Sequence, residues 1–112
     1  LGQTRPADAS EVATTLLRDA FGELANDAQA RPDTNRVALI GHTAGAGVAA
    51  NLAAVAKEAG LPVPKLVFAV MPGGLASDAK SRGIQLADLS KIDPNTAFVA
   101  MIGDREFQAS DR

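Results

Sequence analysis

A parallel α/β sheet is the fold class the sequence predicts, and three observations predict it. Three short apolar runs, Val37–Ile40, Leu66–Met71 and Ala97–Ile102, read as strands covered on both faces. A helical pattern precedes the first run, and another separates the first from the second. Every run ends at a turn signal: Gly41, Pro72-Gly73-Gly74 and Gly103. Strands joined by crossovers lie parallel, with right-handed connections.

Residues 1–7 are polar, contain Pro6 and read as an entering loop. Asp8 and Glu11 resemble a capping box, with Asp replacing the usual Ser or Thr. Val12, Ala13, Leu16, Leu17, Ala20, Phe21, Leu24, Ala25 and Ala28 recur at three- and four-residue spacing, predicting an amphipathic helix to about Ala30. Arg18, Asp19, Glu23, Asn26 and Asp27 form its solvated face. Pro32-Asp33-Thr34-Asn35 is a turn.

The first strand, about 36–41, leads into a helix of about 45–59 bearing Val48, Leu52, Val55 and Ala56. Gly60 and Pro62 stop that helix. Leu66–Met71 is the second strand, and 72–96 is a long excursion of a length that is often functional or lid-like. Within it, Leu86, Leu89 and Ile92 predict a short helix over 86–92. The third strand spans 97–103, and the tail from Asp104 is polar. Phe21, Phe68, Phe98, Met71 and Met101 are the expected core residues among the bulkier apolar side chains.

With 112 residues, the chain is expected to make a single α/β domain over 1–112. Eleven basic groups against thirteen acidic ones argue against a nucleic-acid partner, as do four Phe without Trp or Tyr. Without Cys and with one His, no metal site is expected. No run approaches the roughly 20 apolar residues of a membrane span. The start at Leu1 reads as a processed chain or one cut from something longer.

The chemistry gathers at Gly41-His42-Thr43-Ala44-Gly45, between the first strand and its helix. The pattern is that of a nucleophile elbow, G-x-S-x-G, with threonine at the serine position. Thr43 is then the nucleophile, and the Ala44 amide is the oxyanion donor at the positive end of a helix. The non-catalytic reading of Thr43 is a turn hydroxyl satisfied by backbone. Gly41-x-x-x-Gly45-x-Gly47 also fits a short-chain-dehydrogenase-like nucleotide loop. Against that, the second strand ends in Val70-Met71-Pro72 without the acidic residue that binds a ribose, and the chain has no Tyr.

Together with the elbow, Gly60-Leu-Pro-Val-Pro-Lys-Leu-Val-Phe, Met71-Pro-Gly-Gly, Leu86-Ala-Asp-Leu-Ser-Lys-Ile-Asp-Pro-Asn-Thr and Ile102-Gly-Asp-Arg-Glu resemble the α/β-hydrolase superfamily, in a bacterial esterase- and lipase-like branch. The resemblance implies the C-terminal half of that sheet, its fifth, sixth and seventh strands. It implies carboxylic-ester hydrolysis by a Ser–acid–His triad with no cofactor. Glu106 falls on the catalytic acid after the third strand, and Asp104 is the nearby alternative. Solvated loop carboxylates are the bland reading of both. His42 falls on the variable position before the nucleophile, and no histidine follows Glu106. A small-molecule ester is therefore the expected substrate only of a completed site, and the chain alone is expected to be inactive. A different class of function is an association module. The outer strands of a three-stranded sheet recruit a strand from a second copy or a partner chain.

Overall fold

The computed structural model describes residues 9–72 and 86–103. The elements run α1 (Ala9–Leu24), β1 (Ala38–His42), α2 (Ala44–Ala59), β2 (Leu66–Val70), a single 3-10 turn (Leu89–Lys91) and β3 (Ala97–Met101). All three strands are parallel, in the order β1-β2-β3. Register places Leu39 beside Val67 and Phe98, and His42 beside Val70 and Met101.

One helix organises the packing. Helix α2 lies on one face of the sheet and touches β1, β2, α1 and the 3-10 turn. Its small side chains set the distance: Ala46, Ala49, Ala50, Ala53, Ala54 and Ala56 are all buried. Ala49 and Ala53 meet Val67, with Leu39 and Ile92 at the margin. Leu52, Ala56 and Leu61 receive Ala13, Leu17 and Phe21 from α1. The helix ends at Gly60 (φ 73°), where a left-handed residue lets the Leu61 amide reach the Ala56 carbonyl at 2.9 Å.

Two expected boundaries move. The first helix stops at Leu24 instead of Ala30. The Asp27 carboxylate accepts from the Gln29 and Ala30 amides at 2.8 and 3.0 Å, and this local turn replaces the helical ladder. Residues 23–31 are exposed, so no packing offsets the change. The helix expected over 86–92 reduces to Leu89–Lys91. Asp88 accepts from Ser90 N at 3.1 Å and Ser90 Oγ at 2.6 Å, closing one tight turn that Ile92 then leaves in extended conformation.

The larger correction concerns burial. Val67 and Ala69 are fully enclosed, but Ile40 is 74% exposed and every residue of β3 is exposed. Phe98 and Met101, expected in the core, are 40% and 51% exposed, and Met71 is exposed at the end of β2. Phe21 and Phe68 are half-buried. Two causes act: among the described residues helices cover only the face carrying Leu39, Gly41, Val67 and Ala69, and α2 packs chiefly on β1 and β2, which leaves β3, with Phe98 and Ala100 on that same face, at the edge of the described sheet. Alternation sends Ile40, His42, Phe68, Val70, Val99 and Met101 to the opposite face.

Residues 86–96 pack along α2 and carry its ion pairs. Lys91 meets Glu58 at 3.1 Å and Asp93 meets Lys57 at 2.9 Å. The Asn95 amide and the Lys57 ammonium hold the Asp93 carboxyl below its ordinary range, and Ser90 does the same for Asp88. Both groups favour the folded state when ionised. Their contribution is present above the unfolded aspartate range and is lost as pH falls through the lowered folded values. Protection of the 86–96 amides from hydrogen exchange is therefore expected to hold from pH 7 to 5 and to drop below about pH 4. Asp93→Asn should shrink that drop, and protection that persists unchanged into strong acid would contradict the assignment.

Candidate active site

Thr43 occupies the single residue between β1 and α2, and its backbone is strained. It has φ 48° and ψ −111°, a combination that a β-branched residue rarely adopts. Two backbone hydrogen bonds hold it there. Its N–H donates to the Val70 carbonyl at 2.9 Å, tying the turn to β2. Its carbonyl accepts from Ala46 N at 3.0 Å, starting the helix. Its side chain makes no capping bond to the helix.

The close approach that forces the turn is at Gly41. A Cβ there would overlap the Gly45 carbonyl and come within 2.7 Å of the Ala46 Cα. The strand therefore reaches the helix only through a bare α-carbon. Gly45, the second glycine of the pattern, is not needed for space: a Cβ there meets nothing within 4 Å.

Ala44 is the first residue of α2 and is exposed. Its amide belongs to the first turn, whose N–H groups have no acceptor within the helix, and the dipole there favours negative charge. His42 is the last residue of β1, exposed, and directed by alternation to the face opposite α2. Thr43 and Ala44 thus come together at the turn, with His42 just before them at the exposed end of β1, where it borders the groove between α1, β1 and α2. Asp104 and Glu106 lie outside the described residues. So does residues 73–85 of the excursion, while 86–96 lies on α2.

A second strained residue went unread in the sequence. Met71 also has φ 48°, and its N–H donates to the Met101 carbonyl at 2.7 Å. It directly follows Val70, the residue that binds the Thr43 amide, so two adjoining strand ends carry left-handed non-glycine residues. Nothing in Val70-Met71-Pro72 except the turn signal marks it. An open groove of about 480 Å³ flanks the turn between α1, β1 and α2. Its lining, including Val12, Leu16, Leu39, Ile40 and Val48, is almost wholly apolar, with His42 at one end. Among the described residues no cluster of side chains could hold a metal ion, and no helix is long and apolar enough to cross a membrane.

A three-stranded parallel sheet with flanking helices, and a strained hydroxyl residue between the first strand and its helix, define an α/β protein. The profile of the family described as alpha/beta hydrolase fold matches residues 4–106. The chain belongs to that family, and the dinucleotide-loop reading has no support. Neither the curated proteins nor the solved structures contain a match.

The two glycines make opposite predictions. Gly41→Ala is expected to destabilise the chain by about 1–3 kcal/mol or more, because rigid backbone cannot make room for a methyl group. Gly45→Ala should leave stability unchanged or raise it by up to about 1 kcal/mol through helix propensity. Chemical denaturation of the two variants measures both; equal effects would remove the steric argument.

Proposed function

We propose that the Thr43 turn is the nucleophile elbow of a carboxylic-ester hydrolase. The observation that carries this reading is the Thr43 backbone, φ 48° and ψ −111°, at the N-terminus of α2. Strain of this kind persists only where surroundings over-determine it, and it clusters at functional sites. In the proposed reaction Thr43 Oγ attacks the ester carbonyl and gives up its proton to a base. The Ala44 amide donates to the resulting oxyanion. The tetrahedral intermediate expels the alcohol, protonated by that base, and water later releases the acid from the acyl-threonine. The carboxyl that orients the base is Glu106, with Asp104 as the alternative.

The base is the part this chain does not supply. Its one imidazole, His42, follows the strand alternation away from α2, and a hydroxyl without a base is a weak nucleophile. The Thr43 methyl adds crowding at the attacking oxygen. General-base assistance contributes about 10²–10⁴-fold, so the chain alone should hydrolyse short p-nitrophenyl esters at background rate. Added imidazole should raise the rate above imidazole alone, more so in Thr43→Ser, and Thr43→Ala should abolish the excess. Absence of any Thr43-dependent rate with imidazole, in either the parent or the serine variant, overturns the reading.

A second reading is favoured by the open face of the sheet. Ile40, Val99 and Met101 are exposed there, and β1 and β3 are the outer strands of the described sheet. A chain of this kind associates, with a second copy or with another chain that completes the sheet along its edges. Light scattering should report species larger than a monomer at high concentration, and Ile40→Lys should reduce them. A monodisperse monomer under those conditions excludes self-association.

A further inference from the structure

Asn51 stands where polar residues are least expected. It lies in the middle of α2, is 4% exposed, and has the buried Ala49, Ala50, Leu52, Ala53 and Ala54 around it. Asparagine is a poor helix former, and a buried amide without hydrogen bonds costs more than any packing it adds. Both ends of this amide are engaged. Its Nδ2 donates to Ser10 Oγ of α1 at 2.9 Å. Its Oδ1 accepts from the Ala87 N–H at 2.8 Å. One side chain thereby ties α2 to two segments whose bonded residues are 41 and 36 positions from it in the chain.

The other links between 86–93 and α2 are of a different kind. Lys91–Glu58 is exposed on both sides, and Lys57 of the Lys57–Asp93 pair is 69% exposed, so solvent screens both pairs. Ile92 contributes apolar contact with the Ala49, Ala53 and Val67 cluster, but contact of that kind does not specify a register. The bond from Ala87 to Asn51 is the directional one, and its acceptor is buried. It also comes from the helix that begins at the Thr43 turn. β3, which follows this segment, has all five residues exposed.

We propose that Asn51 is a positioning residue that fixes residues 86–93 to α2. This half of the excursion is then a rigid strut, not a hinged lid. Through it the entry of β3 is referenced to the elbow helix from outside the sheet. The inference does not depend on the chemistry assigned to Thr43.

Hydrogen exchange measured by NMR on the full chain tests it. The Ala87 amide should be protected to a degree comparable with the amides of β2. Asn51→Leu should speed Ala87 exchange about 10- to 100-fold while the β2 amides keep their rates. Asn51→Asp keeps an acceptor for Ala87, and the Ser10 hydroxyl can turn to donate to it, so protection at neutral pH should survive. Ser10→Ala removes only the α1 arm and should leave Ala87 protected. A wild-type Ala87 amide that exchanges like an open loop overturns the proposal, as does Asn51→Leu with unchanged protection. If Asn51→Leu fails to fold, the wild-type rate and the Asn51→Asp rate decide, and loss of protection in either counts against it.

Discussion

The contact between the Gly41 α-carbon and the Gly45–Ala46 backbone is the constraint from which the rest of the arrangement follows. A chain leaving a strand ordinarily has about 2–6 residues in which to reach the following helix. Here it has one. With no Cβ at Gly41, the strand end passes directly under the first turn of α2, and only Thr43 lies between them. A one-residue connection cannot reverse direction with both neighbours in regular geometry. The left-handed angle at Thr43 is the consequence, and the bond from its amide to Val70 keeps the strained residue from relaxing along the strand.

That constraint also explains the composition of α2. A helix held so close to its strand can bury little beyond methyl groups along the contact, and the alanines at 46, 49, 50, 53, 54 and 56 are buried for this reason. Burial of alanine brings less hydrophobic stabilisation than burial of leucine, because the area removed from water is smaller. Stability has to come from elsewhere on the helix: from Leu52 with Leu61 and the α1 side chains, and from directional bonds such as those of Asn51. A hub made of small side chains and one buried amide is tightly located but thinly insulated. This fits the wide exposure of the strands farthest from it.

How much of this was legible in the sequence depends on the range of the interaction. Strand–turn–helix order and the three parallel strands follow from local periodicity, and the Gly41–Gly45 spacing marks the turn. Helix ends were misread where a side chain competed with the backbone, as Asp27 does by capping its own turn after Leu24. Burial of β1 and β3 was misread because a continuous apolar run is equally suited to a face that a helix covers and to one that awaits cover. Ile40 and Met101 carry no letter that distinguishes the two. Asn51 does leave a signal in the sequence: it is the one polar residue in the otherwise apolar run from Val48 to Ala56. Its partners, at Ser10 and Ala87, are too distant in the chain for any local pattern to pair them. Met71 gave no signal of its left-handed angle, since strain imposed by neighbouring strands is not written in the strained residue.

A site at the Thr43 turn would have two kinds of component that differ in how they are held. The hydroxyl of Thr43 and the amide of Ala44 are positioned by the backbone, through a steric contact and hydrogen bonds made entirely within β1, α2 and β2. A general base must be positioned by its own segment, and strand alternation directs His42 away from the helix face. The backbone half of such a site is therefore set independently of any base. Sterics at Gly41 preserve it for reasons of packing alone, whether or not an ester is ever cleaved.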